Sequence, residues 1–151
     1  MKRREFLLSS CAFAAAPAFP AILSNRSPNS LLSHACIGTA NMAGADLSDI
    51  SSHKRTHITA LCDVDSAYLA AAKKKHPDAR CYRSWEEMLE KEGDKIDSVN
   101  VSTPDHMHAP AILSALKRGK NVYGQKPLCH EIGECRQIEK LAAAKGVSTI
   151  V

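Results

Sequence analysis

The sequence predicts an α/β protein built on a doubly wound parallel sheet, and three observations predict it. Short apolar runs alternate with helix-patterned segments from residue 31 onward, the order expected of a parallel sheet with crossover helices. The stretch Ser98 to Leu128, SVNVSTPDHMHAPAILSALKRGKNVYGQKPL, packs strand, turn, helix, strand and a Lys-Pro corner into one βαβ unit. Gly38 ends the first apolar run, and Asp63 ends the second 25 residues later. That spacing puts a glycine and an acid at the same rim of the sheet.

Each element has its own signal. Leu31 to Gly38 reads as the first strand, and a turn centred on Thr39 to Met42 leads into a helix from Ala43 or Gly44. Ile58 to Cys62 is the second strand, and Asp65 caps a helix over Ser66 to Lys75, since its side chain can accept from the first free N–H groups. Ala79 to Tyr82 is a short third strand. Ser84 and Glu87 form a capping box for a helix over Trp85 to Lys91. Val99 to Val101 suits a buried strand, which Pro104 stops because the residue before a proline is pushed extended. Ala109, Ile112, Leu113 and Leu116 recur on one helical face, and Gly119 stands where a left-handed cap ends the helix. Asn121 to Tyr123 is the next strand. His130 to Lys145, with Ile132, Cys135, Ile138 and Ala142 on one side, is the last long helix; Gly146 ends it before Ser148 to Val151. No internal repeat or low-complexity tract is present.

Composition bounds the function. A chain of 151 residues, 44% hydrophobic and 24% charged, supports one domain with a real core. Its apolar runs are too short to span a bilayer. The net charge of +4 invites a nucleic-acid reading, but Lys2, Arg3, Arg4 and Glu5 alone contribute +2 of it. Lys73, Lys74 and Lys75 read as the exposed end of a helix. No nucleic-acid partner is expected, and no membrane contact beyond the leader.

Residues 1–30 read as signal peptide and linker, and residues 31–151 as the folded domain. Lys2 to Leu7 is a basic start, Phe6 to Ala16 a short apolar segment, Ala16-Pro17-Ala18 a small-residue cleavage site and Asn25 to Ser30 a flexible joint. The Arg3-Arg4 pair followed by Glu5, Phe6 and Leu7 resembles a twin-arginine export signal. This predicts a periplasmic or otherwise exported protein; an ordinary secretory leader, or an uncleaved N-terminal helix on a cytoplasmic protein, is the alternative. Of the cysteines, Cys36 and Cys62 fall inside strands where a thiol packs as a small apolar group, and Cys11 falls in the leader. With Cys81, Cys129 and Cys135 the remainder is odd in number and contains no Cys-x-x-Cys, so reduced core residues are expected rather than a disulfide framework.

The chemistry-bearing residues gather at predicted strand ends. A dinucleotide fingerprint wants glycines where the backbone meets pyrophosphate; here Gly38 is present, Ala40 and Ala43 hold the second and third places, and Gly44 stands one place late. A helix N-terminus behind that turn still binds anions through its free N–H groups, so Gly38, Thr39, Asn41 and Met42 are candidate phosphate-side residues. Asp63 is placed to accept from ribose hydroxyls and to repel a 2′-phosphate, favouring NAD with NADP possible; its plainer role is a turn residue. Ser102, Thr103, Pro104 and Asp105 lie at the carboxyl end of the fourth strand, the edge where such sheets bind ligands. His108 follows as either a cofactor contact or a capping and packing residue. His106 and His108 point apart at i, i+2 and lack an acidic or thiol partner at ligand spacing, so no metal is expected.

Ser102-Thr103-Pro104, His108 and Gln125-Lys126-Pro127 together resemble the Gfo/Idh/MocA oxidoreductases, and the likeness covers residues 33 to 151. The family carries a Ser-Thr-Pro turn, a His soon after it and a Glu-Lys-Pro corner. The resemblance implies an NAD(P)-binding Rossmann fold and makes Lys126 the candidate catalytic residue, contacting both cofactor and substrate. A desolvated Lys there serves as general acid or base for hydride transfer from a carbinol. Gln125 departs from the usual Glu and removes a negative charge that could orient or tune that Lys. Family members continue into a second α/β domain with the substrate pocket and much of a homo-oligomer interface; these 151 residues are expected to hold only the nucleotide half. The expectation is therefore the nucleotide-binding domain of an exported oxidoreductase acting on a sugar or cyclitol hydroxyl. The alternative is a nucleotide-binding module or truncated product without turnover.

Overall fold

The computed structural model describes residues 31–151. The leader, its cleavage site, the Asn25 to Ser30 joint and Cys11 lie outside the described residues. Within them the chain runs β1 (Leu32–Ile37), α1 (Met42–Ser52), β2 (Thr56–Cys62), α2 (Ser66–Lys75), β3 (Arg80–Tyr82), α3 (Trp85–Glu92), a 3-10 turn (Gly93–Lys95), β4 (Ser98–Val101), α4 (Asp105–Lys117), β5 (Asn121–Gly124), α5 (Ile132–Lys145) and β6 (Thr149–Ile150). The strands form one sheet in the order β3-β2-β1-β4-β5-β6, every neighbouring pair parallel. The chain therefore switches direction between β1 and β4. At that point the loops leaving the two strands diverge and open a crevice at the carboxyl rim.

Strand alternation decides which face each side chain joins. Ala35 and Ile37 of β1 pack with Val99, Val101, Met88, Ile112, Leu116 and Ile138 on the face carrying α3, α4 and α5. Cys36 points the other way and packs with Leu47 of α1 and Leu69 of α2. Both faces of the sheet are thus covered, so β4 is buried at every position, the polar Ser98 and Asn100 included.

The elements fall where the sequence places them, with local differences. Strand β2 begins two residues early at Thr56, because Thr56 and His57 pair with Leu32 and Ser33; the register then shifts between His34 and Ala35, which skips Thr59. Asp65 caps α2 as expected, its carboxylate accepting from the N–H groups of Ala67 and Tyr68, and Gly119 and Gly146 take left-handed φ values of 69° and 62°. The box at Ser84 is only half formed: Ser84 Oγ accepts from the Glu87 N–H, but its hydroxyl donates to Glu86, while Glu87 pairs with Lys91. A full reciprocal box stands instead at Glu131 and Glu134 and starts α5 at Ile132. Ile132 accordingly lies outside the core at 74% exposure, while Ile138 and Ala142 are buried.

The cysteines require a correction. Cys36 and Cys62 are free and buried, and Cys81 is free and exposed, but Cys129 and Cys135 form a disulfide with Cα atoms 6.2 Å apart. The loop after β5 folds back onto the first turn of α5 and brings together two residues whose six-residue separation carries no sequence signature.

Candidate functional site

At the β1/β4 switch the carboxyl ends of β1, β2 and β4 surround a cleft of about 610 Å³. Gly38 makes its floor possible. It has φ +98°, a region L side chains rarely adopt, and a Cβ there would fall on the Ser102 carbonyl oxygen and crowd Ala43. The strand ends are drawn together because Gly38 N–H donates to the Cys62 carbonyl (2.8 Å) and Ser102 N–H to the Ile37 carbonyl (2.9 Å).

Thr39 is buried and tied to Asp63, whose Oδ2 accepts the Thr39 N–H (2.9 Å) and hydroxyl (2.8 Å) while Oδ1 accepts the Asp65 N–H (3.0 Å). Asn41 follows at φ 52°, and α1 then opens at Met42 with no side-chain cap and no acid in its first turn. Its first N–H groups and positive dipole end stay available to an anion. Asn41, Met42 and Ala43 line the cleft, as do Ala40, Ser102, Thr103 and Pro104. The Thr103 hydroxyl is buried there without a hydrogen-bond partner, a polar atom awaiting one from a ligand.

Three sequence-predicted residues do not form part of this wall. Asp105 is exposed in the first turn of α4. His108 is 1% exposed beneath the cleft, its Nδ1 2.6 Å from the Pro127 carbonyl oxygen and its Nε2 2.6 Å from that of Thr103. Its ring staples the Ser-Thr-Pro turn to the Lys-Pro corner, which is the packing role rather than a surface one. Lys126 follows the end of β5, is exposed, and precedes Pro127 through a cis peptide bond; its ammonium stands at the surface rather than in a desolvated pocket.

Several cleft residues carry no local sequence signal. Arg83, just after β3, donates to the carbonyl of Val64, next to Asp63 (3.0 Å), and Trp85, Tyr68 and Met107 supply apolar wall. His106 lines the cleft although His108 does not. Cys62 also faces it, but burial, reinforced by Asp63, Glu86 and Glu87, pushes its thiol up to about 12, so it is a protonated packing group and no nucleophile. No cluster of three metal-ligating side chains stands among the described residues. Asp46, inside α1, reaches the same rim and accepts from Ser102 and Gln125.

A glycine whose Cβ space is closed, an acid-held Thr39 and an uncapped helix start at a topological switch are the parts of a dinucleotide cradle. Residues 32–151 match the family model described as "Oxidoreductase family, NAD-binding Rossmann fold", that of Gfo/Idh/MocA. The chain belongs to this family. A glycosyl hydrolase family 109 protein of Stenotrophomonas maltophilia is 32% identical over 133 residues, covering 79% of this chain and 28% of its own length. An inositol 2-dehydrogenase of Corynebacterium glutamicum is 31% identical over 91 residues, covering 59% of this chain and 26% of its own. The crystal structure of GenD2 from gentamicin A biosynthesis in complex with NAD superposes with a TM-score of 0.74 at 26% identity, covering 80% of this chain and 34% of that one. The chain thus spans about a quarter of the length of these two curated relatives.

Proposed function

We propose that this Gfo/Idh/MocA domain binds NAD across the β1/β4 cleft and serves an exported oxidoreductase acting on a ring hydroxyl of a sugar or cyclitol. The observation that carries the reading is the Gly38 turn with Asp63 and the uncapped start of α1 on one side of the cleft, and the unpartnered Thr103 hydroxyl on the other. Bound there, the nicotinamide ring supplies the hydride acceptor. The residues of this chain do the rest: α1 N–H groups hold the diphosphate and Asp63 accepts from a ribose, while Lys126, exposed beyond the cleft wall, is the candidate to exchange the carbinol proton once bound cofactor and substrate cover it. The sugar or cyclitol class is supported by the names of the relatives, an inositol dehydrogenase among them; the glycosidase name of another favours a glycoside as second candidate.

Saturable NADH fluorescence with this chain tests the reading, and no saturation at millimolar NADH would overturn it. Calorimetric titration of inositols and hexoses onto the NAD-loaded protein tests the substrate class. Export rests on Arg3-Arg4 and the apolar segment behind it. A reporter fused behind residues 1–30 should lose export when both arginines become Lys, and unimpaired export would remove the twin-arginine route.

A further inference from the structure

Five hydrogen bonds run along the rim, and three of them end on one side chain that neither a turn nor a motif marks. Asn100, fully buried in β4, donates from Nδ2 to Ser102 Oγ (2.8 Å). The Ser102 hydroxyl donates in turn to Asp46 Oδ2 (2.5 Å), and Gln125 Nε2 donates to both Asp46 oxygens (3.2 and 3.0 Å). Finally Lys126 N–H donates to Gln125 Oε1 (2.9 Å). The direction of the chain is forced. A carboxylate only accepts, so the Gln125 amide must turn its NH₂ to Asp46, which leaves its carbonyl for the Lys126 backbone and makes Ser102 a donor.

This arrangement explains the departure at position 125. A Glu there would set a second carboxylate about 3 Å from Asp46, with no proton to donate, where like charges repel strongly. In this chain the negative charge at the corner stands on Asp46 of α1 and not on residue 125. We propose that Asp46 is a positioning residue of this site: it supplies the charge that Gln125 lacks and locks the Ser102 turn and the Lys126 corner into one rigid rim. The inference rests on the dinucleotide reading for its function, but the lock itself is measurable without cofactor.

The test compares the parent chain with Gln125→Glu, Asp46→Asn and the exchanged pair Asp46→Asn/Gln125→Glu. Two readouts are taken: NADH affinity by fluorescence, and hydrogen-exchange protection of the Lys126 backbone amide by NMR in the free protein. Gln125→Glu should weaken NADH binding about tenfold and strip protection from Lys126, because two carboxylates cannot share the space. The exchanged pair should recover both to within about threefold, since it restores one charge and one amide at the contact. A merely structural role gives no such rescue. Overturning results are a Gln125→Glu variant with parental NADH affinity and Lys126 protection, or an exchanged pair no better than the single change. If Lys126 protection follows the exchange while the parent never saturates with NADH, the lock stands and the dinucleotide reading falls.

Discussion

Thr39 and Asp63, 24 residues apart in sequence, are joined twice, the Asp63 carboxylate accepting both the amide N–H and the hydroxyl of Thr39 at 2.9 and 2.8 Å. One acid thereby shapes the glycine turn and faces the cleft where a ribose would lie. Arg83 stands beside the same loop, its guanidinium held by the Val64 carbonyl. Asp63→Ser should therefore cost about tenfold in NADH affinity while shifting preference toward NADPH, whose 2′-phosphate then meets Arg83. Adding Arg83→Ala should cancel the shift. Titration of both nucleotides against the three proteins decides it; an unchanged NADH/NADPH ratio in Asp63→Ser would show that Asp63 does not read the ribose.

Gly38 carries both a strained φ and a closed Cβ space, with Ser102 backbone in the way. Gly38→Ala should lower stability by about 3 kcal/mol, the left-handed cost of about 1–2 kcal/mol plus displacement of a strand end, and should abolish NADH binding. Gly133 in α5 has nothing within 4 Å of its Cβ position. Gly133→Ala is expected to gain about half a kcal/mol by relieving helix entropy. Denaturant unfolding of both variants measures the contrast, and equal effects would contradict it.

Acid should destabilise the domain in two steps with the same sign. His34, 4% exposed, bonds to Ser98 Oγ through Nδ1 and is pushed down to about 4 by burial. Unfolded it binds a proton near its ordinary value and folded it does not, so its stability contribution is complete above about pH 6.5 and is lost as pH falls toward 4, by at most about 3 kcal/mol. Glu92, 2% exposed, follows at lower pH. Burial alone would raise it, but hydrogen bonds from Tyr82, Arg80 and Lys95 outweigh that and hold it below the usual carboxylate range. Its contribution is present above the ordinary carboxylate value and disappears as pH drops through the folded one. Melting temperatures across pH should lose the upper limb in His34→Gln and the lower one in Glu92→Gln; an upper limb that survives in His34→Gln would assign it to another group.

What the sequence made legible were the features that act locally. Gly119, Gly146 and Asp65 do their work within one turn of themselves, and the apolar runs of β1 and β4 need only period and length to be recognised. Gly38 and Asp63 were legible because a parallel sheet brings consecutive strand ends to one rim. Asp46 was not, since an acid inside a helix looks solvated until Gln125, 79 residues away, arrives against it. Arg83 and Trp85 enter the cleft only because β3 pairs with β2, and Glu92 hides in the core only because Arg80 and Tyr82 come from that same strand. His108 was half legible: its place beside the turn follows from sequence, while its burial depends on the Pro127 carbonyl closing over it.

Among the described residues the cysteines divide into three classes of reactivity. Cys81 is exposed and should alkylate at once in the native, unreduced protein. Burial, with Asp46 as a lesser contributor, pushes the Cys36 thiol up, and Cys62 is held at about 12 by its own burial and nearby carboxylates; both should label only on unfolding, because thiolate and access are lacking together. Cys129 and Cys135 should stay silent even in denaturant until a reductant opens their bond. Because that bond closes only a short loop, its loss in Cys135→Ser should lower stability by about 2 kcal/mol, near the bottom of the usual range. Peptide mass mapping of iodoacetamide adducts before and after reduction reads all three classes; prompt labelling of Cys129 without reductant would show the pair to be open in solution.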